Sequence, residues 1–335
     1  NKELSKYFFI LFSFFTILSI FVVLYLSYYK APLYMYLTGQ LDRVLTSRIA
    51  YSRNFQGSLF IKNVIGQSII PLMTYILFAF YRITKNKSWR LLFFINFFCA
   101  VFISGSDLSK SGIVYYLIPY IYLMTVIDNK IPLKKIVKYG SIVFAILVFM
   151  YTIQYANAGL TYTDVIFDFY SGPIGRILLV QVQAFPAYLE IFPEYNSLLL
   201  GKSIAVLRFL GLPFIESARI VAEYIEPIGV QAGNVGVANT IFMGDAYANF
   251  GLLGLIISPI WLSFVFSFFY YRFINSRKSP INIGYYIFIL DNLTNSLTGG
   301  FFSAYVINTR IIAAIFFMFF IKFSVQMLTR SANSI

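Results

Sequence analysis

Two stretches of this chain leave little choice of fold. From Tyr7 to Tyr29, and again from Phe250 to Tyr271, the sequence carries no formal charge. Apolar runs of roughly 17–23 residues match a bilayer core about 30 Å thick. No water reaches the backbone there, so each run must satisfy its own N–H and C=O groups as a helix. A membrane β-barrel would instead alternate polar and apolar residues in segments of about 10. Composition agrees. The chain is 59% hydrophobic and 12% charged with a mean hydropathy of +0.76, about half the charge of a soluble domain.

The expected fold is therefore all-α: a polytopic helical membrane protein forming a single integral membrane domain over 1–335. Helices are expected at 7–29, 63–83, 91–105, 112–127, 139–155, 250–271, 283–299 and 310–328, about eight crossings. The first run is too long for a signal peptide and is read as a retained span. Basic residues fall in alternate connections: Lys85, Lys87 and Arg90; Lys130, Lys134, Lys135 and Lys138; Arg272, Arg277 and Lys278; and Lys322 with Arg330. Short basic loops mark the cytoplasmic side, so one threading puts the N-terminus inside. Three connections then lie outside, at 30–62, 156–249 and 300–309.

The loop 30–62 is itself basic, with Lys30, Arg43, Arg48, Arg53 and Lys62 against Asp42. Either it hides a further helix or it holds an anion on the outer face. The net charge of +13 is otherwise explained by orientation and anionic headgroups, and no nucleic-acid partner is expected. The large loop 156–249 contains the apolar pieces 174–192 and 204–215, interrupted by Pro186, Gly211 and Pro213. These suit interfacial or re-entrant helices.

Chemistry is expected where polar residues abut a span. Asp245, Tyr247 and Asn249 sit directly before or at the apolar run that opens at Phe250. The chain has no histidine, which removes the commonest general base and metal ligand. A base must then be Asp, Glu, Tyr or Lys; Asp245 is the first candidate and Glu223 the second. A helix cap at the membrane surface would give Asp245 the same sequence signature. No metal or cofactor is expected, since zinc spacing, nucleotide loops and dinucleotide fingerprints are missing from the sequence. Arg176, Arg208 and Arg219 lie in the large loop. Their guanidinium forks suit phosphate oxygens, or they snorkel to headgroups. Arg219, Glu223 and Glu226 share one helical face by spacing. Asp291, inside a span, either pairs with Arg310 or serves function.

The stretches Arg53–Gly57 with Phe60–Asn63, Phe102–Ser106, and Asn239–Gly251 running into a helix resemble the bacterial oligosaccharide repeat-unit polymerases of the Wzy type, the O-antigen and capsule polymerases. That resemblance implies a metal-independent GT-C-type glycosyltransferase in the bacterial inner membrane, multi-pass, with its site facing the periplasm. It implies transfer of a growing glycan from undecaprenyl diphosphate to the non-reducing end of a new lipid-linked repeat. Arg176, Arg208 and Arg219 would hold the diphosphate, with Arg48 and Arg53 as a second cluster. Asn249, Tyr247 and Asp291 would be acceptor-side or structural polar groups. Membrane lipids, lipid-linked oligosaccharides and a chain-length regulator protein are the implied partners. Two alternatives share the setting. A glycan ligase would share fold and donor, but related ligases carry a loop histidine, missing here. A lipid-linked oligosaccharide flippase would show repeats and midplane charges.

Overall fold

The computed structural model describes residues 2–40, 51, 55–108, 110–131, isolated positions between 133 and 145, 180–204, 207, 211–231, 237–238, 240–306 and 308–333. Among these residues the protein is all-helical. In chain order the helices are α1 (Lys2–Tyr28), α2 (Pro32–Leu37), a π-helix (Phe60–Ile69) continuing into α3 (Ile70–Thr84), α4 (Lys87–Ser104), α5 (Lys110–Leu117) and α6 (Pro119–Asp128). There follow α7 (Val180–Gln183), α8 (Phe185–Ile191), α9 (Ser217–Ile225), α10 (Pro227–Gln231), α11 (Phe242–Ile274), α12 (Pro280–Asn295) and α13 (Thr309–Asn333). A second π segment, Phe302–Val306, lies between the last two. Five helical stretches among the described residues are long and apolar enough to cross a membrane: Lys6–Tyr28, Phe60–Thr84, Lys87–Ser104, Phe242–Ile274 and Thr309–Met327.

Several boundaries differ from the hydropathy pattern. The third expected span begins at Lys87 rather than 91, because Asn86 caps it by accepting a hydrogen bond from the Ser88 N–H at 2.8 Å. Polar residues in a first helical turn do not register as apolar, so a pattern search starts late. The fourth is split at Ile118 by Pro119, which opens α6 as proline at a first helical position does. The fifth, 139–155, falls for the most part outside the described residues.

The chain divides into two compact units. The first takes in 1–132, 272–291 and 309–335. Its first helices run antiparallel. Near the start of α1, Phe12 lies 5.8 Å from Phe80 at the end of α3, and Phe80 stacks at 4.4 Å on Trp89 at the start of α4. At the opposite end Ser58 N–H donates to the Tyr25 hydroxyl, and Leu33 N–H donates to Ser106 C=O at 3.1 Å. Arg82, closing α3, pairs with Asp128, closing α6, at 2.8 Å. Inside the unit, Asn96 joins two helices: its amide donates to Thr16 and its carbonyl accepts from Ser19, at 2.6 and 2.7 Å. Within a bilayer such interhelical bonds fix register. Three tyrosines also lie in the interior of this unit. Tyr75, Tyr116 and Tyr120 are buried, with the Tyr75 hydroxyl donating to Tyr116 C=O and the Tyr116 and Tyr120 hydroxyls 2.7 Å apart.

The second unit takes in 133–271 and 292–308. Its core is Ala184, Tyr188, Ile191, Phe192, Leu199, Val221 and Ala248, with Tyr247 packed at the edge. The largely apolar α8 and the amphipathic α9 thus share a core with the first turns of a membrane-length helix. α11 starts at Phe242, two turns before the expected Phe250, and kinks at Phe250 and Gly251. Gly251 has φ +58° and ψ −140°, a region open in practice to glycine. In the segment 204–215, expected to form an interfacial helix or a re-entrant piece, the described residues hold no α-helix, and Ile215 N–H is tied to Lys202 C=O at 2.9 Å.

Candidate functional site

Asp245 and Asn249 are one turn apart on α11, so both face the same way. That face looks into the second unit. Asp245 is 6% exposed and Asn249 is fully buried. One Asp245 carboxylate oxygen accepts from the Ser217 hydroxyl at 2.6 Å, and the other accepts from Phe302 N–H at 3.1 Å. The Asn249 amide donates to Ser203 Oγ at 2.6 Å and to Asp245 C=O at 2.7 Å, and its carbonyl accepts from Gly201 N–H at 2.9 Å. Leu199 and Leu200 N–H groups bond to the Ala248 and Asn249 carbonyls at 3.0 and 3.1 Å. One i,i+4 pair thereby fastens three chain segments, 199–203, 217 and 302, to the start of α11. Buried polar groups are costly unless paired, and every member of this network has a partner.

Asp245 does not cap its own helix. It lies four positions in, counting Phe242 as the first, and its oxygens serve Ser217 and Phe302 instead. Gly244 allows the fit, because a Cβ there would collide with the Thr240 side chain and press on the Tyr188 ring at 3.3 Å. Tyr188 is buried behind it, its hydroxyl bonding Ala238 C=O at 3.2 Å; burial pushes its phenol well above the usual range. Sequence reasoning found Asp245 and Asn249 but missed Ser203 and Ser217. Those two have no signal of their own, since contact across 46 and 28 positions is a property of the fold.

Helix α9 carries the exposed chemistry. Its apolar side, Ala218, Val221 and Ala222, is buried. On the other side Arg219 Nε donates to Glu223 at 2.8 Å, an i,i+4 ion pair with the two side chains 31% and 54% exposed. The spacing expected this pair. Such half-exposed pairs add little stability, so its interest is chemical. Next to it the Tyr224 hydroxyl donates to Glu190 on α8 at 2.7 Å, and that bond with its carboxylate neighbour raises the phenol's pKa. Glu226 follows the end of α9.

The remaining candidates fall elsewhere. Arg176, Arg208, Arg48 and Arg53 lie outside the described residues. Lys62, the described base of the 30–62 loop nearest a span, is turned inward: its ammonium donates to Tyr51 C=O at 2.7 Å and sits 4.1 and 4.7 Å from the Tyr51 and Phe55 rings. Asp107 acts on the same charge. Burial lifts the Tyr51 phenol to about 12. That lysine is committed to holding the loop by cation–π contact. Asp291 is buried and is coupled electrostatically to Arg310 within the first unit, where Arg310 donates to Gln67 at 3.1 Å.

No family model, curated protein or solved structure matches this chain.

Proposed function

We propose that this protein polymerises polyprenyl-diphosphate-linked oligosaccharide repeat units on the outer side of a bacterial inner membrane. The observation that carries the reading is that α9, bearing Arg219 and Glu223, is tied by Ser217 to Asp245 at the start of the membrane-length helix α11, with α8 and its Glu190 joined to it through the shared core and the Tyr224–Glu190 bond. A lipid-linked substrate presents its diphosphate at the bilayer surface and its sugars just beyond. A polar helix held rigidly at that level meets both. The resemblance of 239–251 to repeat-unit polymerases falls on the same segment.

In this reading the chain is one membrane domain of about eight crossings, with 30–62, 156–249 and 300–309 outside. Arg219, with Arg176 and Arg208 of the same loop, binds the donor's diphosphate through its guanidinium forks; Arg48 and Arg53 form a second basic cluster. The acceptor hydroxyl oxygen attacks the donor's anomeric carbon. The bond from that carbon to the diphosphate breaks, and the diphosphate departs on its polyprenol. Glu223, half exposed beside Arg219, takes the hydroxyl proton. Diphosphate is already a good leaving group, so positioning and charge stabilisation supply most of the catalysis. Asp245 is a positioning residue: its carboxylate is spent on Ser217 and Phe302. Tyr247 and Asn249 are structural neighbours of the site.

A second reading, a flippase for the same lipid, is favoured by one observation. Gln67 and Arg310 lie on membrane-length helices, with the buried Asp291 of α12 acting on Arg310, and charges at such depth often line a transport path. Deleting the gene and profiling surface glycans separates the two. Loss of polymerase leaves single repeat units on the mature carrier; loss of a flippase leaves no exported units. An unchanged long-chain ladder overturns both.

A further inference from the structure

The α8–α9 surface holds a feature the transfer reaction does not use. Tyr195 and Tyr224 are 65% and 46% exposed, with ring centroids 5.9 Å apart and planes at 35°. They stand over a firm base. Ile191, Phe192 and Val221 beneath them are fully buried, and Tyr195 N–H is held by Ile191 C=O at 2.9 Å. The Tyr224 hydroxyl is fixed by Glu190 at 2.7 Å. A carboxylate offers about four acceptor positions, and this bond takes one.

Tyrosines near a membrane often anchor in headgroups, but the charge here argues otherwise. The segment 185–231 carries Glu190, Glu194, Glu216, Glu223 and Glu226 against Lys202, Arg208 and Arg219, in a chain whose net charge is +13. Five carboxylates against three cations make this stretch, away from Arg219, a poor partner for anionic headgroups. What it suits is a neutral, hydroxyl-rich ring. The C–H face of a pyranose carries the slight positive charge that the negative face of an aromatic ring attracts, and its hydroxyls donate to carboxylates.

We infer that Tyr195, Tyr224 and Glu190 form an extramembrane subsite that binds a neutral sugar ring of the glycan chain, two faces stacking and one carboxylate accepting hydroxyls. The assignment rests on the polymerase reading for its biological use, not for its binding chemistry. A growing chain gripped there would stay bound between additions, so the subsite would set chain length rather than permit the reaction.

The test uses the full chain in phosphatidylglycerol nanodiscs. The probe is the host's own surface polysaccharide cut by mild acid to short oligosaccharides, observed by saturation-transfer NMR. Tyr195→Ala with Tyr224→Ala should weaken the apparent affinity about tenfold, and Glu190→Gln should weaken it less. Tyr224→Phe, which keeps the ring and loses the bond to Glu190, should fall between and guards against misfolding. In cells the double variant should shorten the ladder without abolishing it. Equal saturation transfer in wild type and a folded double variant overturns the subsite, as expected if the rings only sit among headgroups. Binding that depends on the tyrosines in a strain whose gene deletion leaves the ladder intact keeps the subsite and removes the polymerase reading.

Discussion

Asp245 illustrates how a residue's burial decides between roles that its position leaves open. A base must reach a substrate proton, whereas this carboxylate is 6% exposed and receives both Ser217 and Phe302. Removing it strands two buried donors, each worth about 1–3 kcal/mol. Asp245→Ala should therefore lower the thermal midpoint in detergent markedly, and Asn249→Ala likewise, because it abandons Gly201 N–H and Ser203. Asp245→Asn keeps an acceptor for Phe302 N–H and should retain both fold and glycan ladder. A folded, inactive Asp245→Asn would restore Asp245 to catalysis. Glu223→Gln is expected to do the opposite: an unchanged unfolding transition with little or no polymer on gel profiles. The candidate site was half legible in the sequence. The Arg219–Glu223 pair follows from helical spacing; that polar residues abut the Phe250 span is visible in the sequence, but that Asp245 and Asn249 share one helix face is not. The serines opposite Asp245 and Asn249, and the inward turn of Lys62 onto Tyr51 and Phe55, arise from contacts between distant segments, which periodicity does not encode.

The helices show where hydropathy stops being informative. Long spans were legible because apolar length alone identifies them. Their ends were not: Asn86 caps a polar first turn, and the chain is already helical from Phe242, ahead of the kink at Phe250 and Gly251. Glycine governs how closely these elements approach. A Cβ at Gly284 would lie 2.7 Å from Ile76 backbone atoms, so α12 and α3 meet at a point that admits no side chain. Gly284→Val should cost about 1–3 kcal/mol by overpacking, read as a lowered thermal midpoint. At the α11 kink, Gly251→Ala forces a side chain into a glycine-only conformation, costing of order 1–3 kcal/mol. A Cβ at Gly254 would collide with the Ala246 carbonyl. Gly251→Ala and Gly254→Ala should each disturb the kink and pull the Asp245 network out of register, so glycan ladders should shorten even where protein persists.

For the molecule as a whole, orientation follows from its charges. Arg82 and Asp128 close one end of the first unit, while Tyr25, Ser58, Leu33 and Ser106 meet at the other. In the proposed reading the Arg82 end, which Lys85, Lys87 and Lys130 follow in sequence, faces the cytoplasm by positive-inside bias. With Cys99 replaced by Ser, a cysteine at Lys202 should react with a membrane-impermeant maleimide on spheroplasts, and one at Lys87 should react only after permeabilisation. The reverse pattern would turn the outer site inward. The central claim is that a helix pair locked to a membrane helix joins lipid-linked sugars. Its most direct test is the purified full chain in proteoliposomes supplied with undecaprenyl-diphosphate-linked repeat units from the host, with products resolved by length. A ladder of lipid-linked oligomers that disappears with Glu223→Gln is the predicted result; unextended repeat units, with or without their transfer across the bilayer, would contradict it.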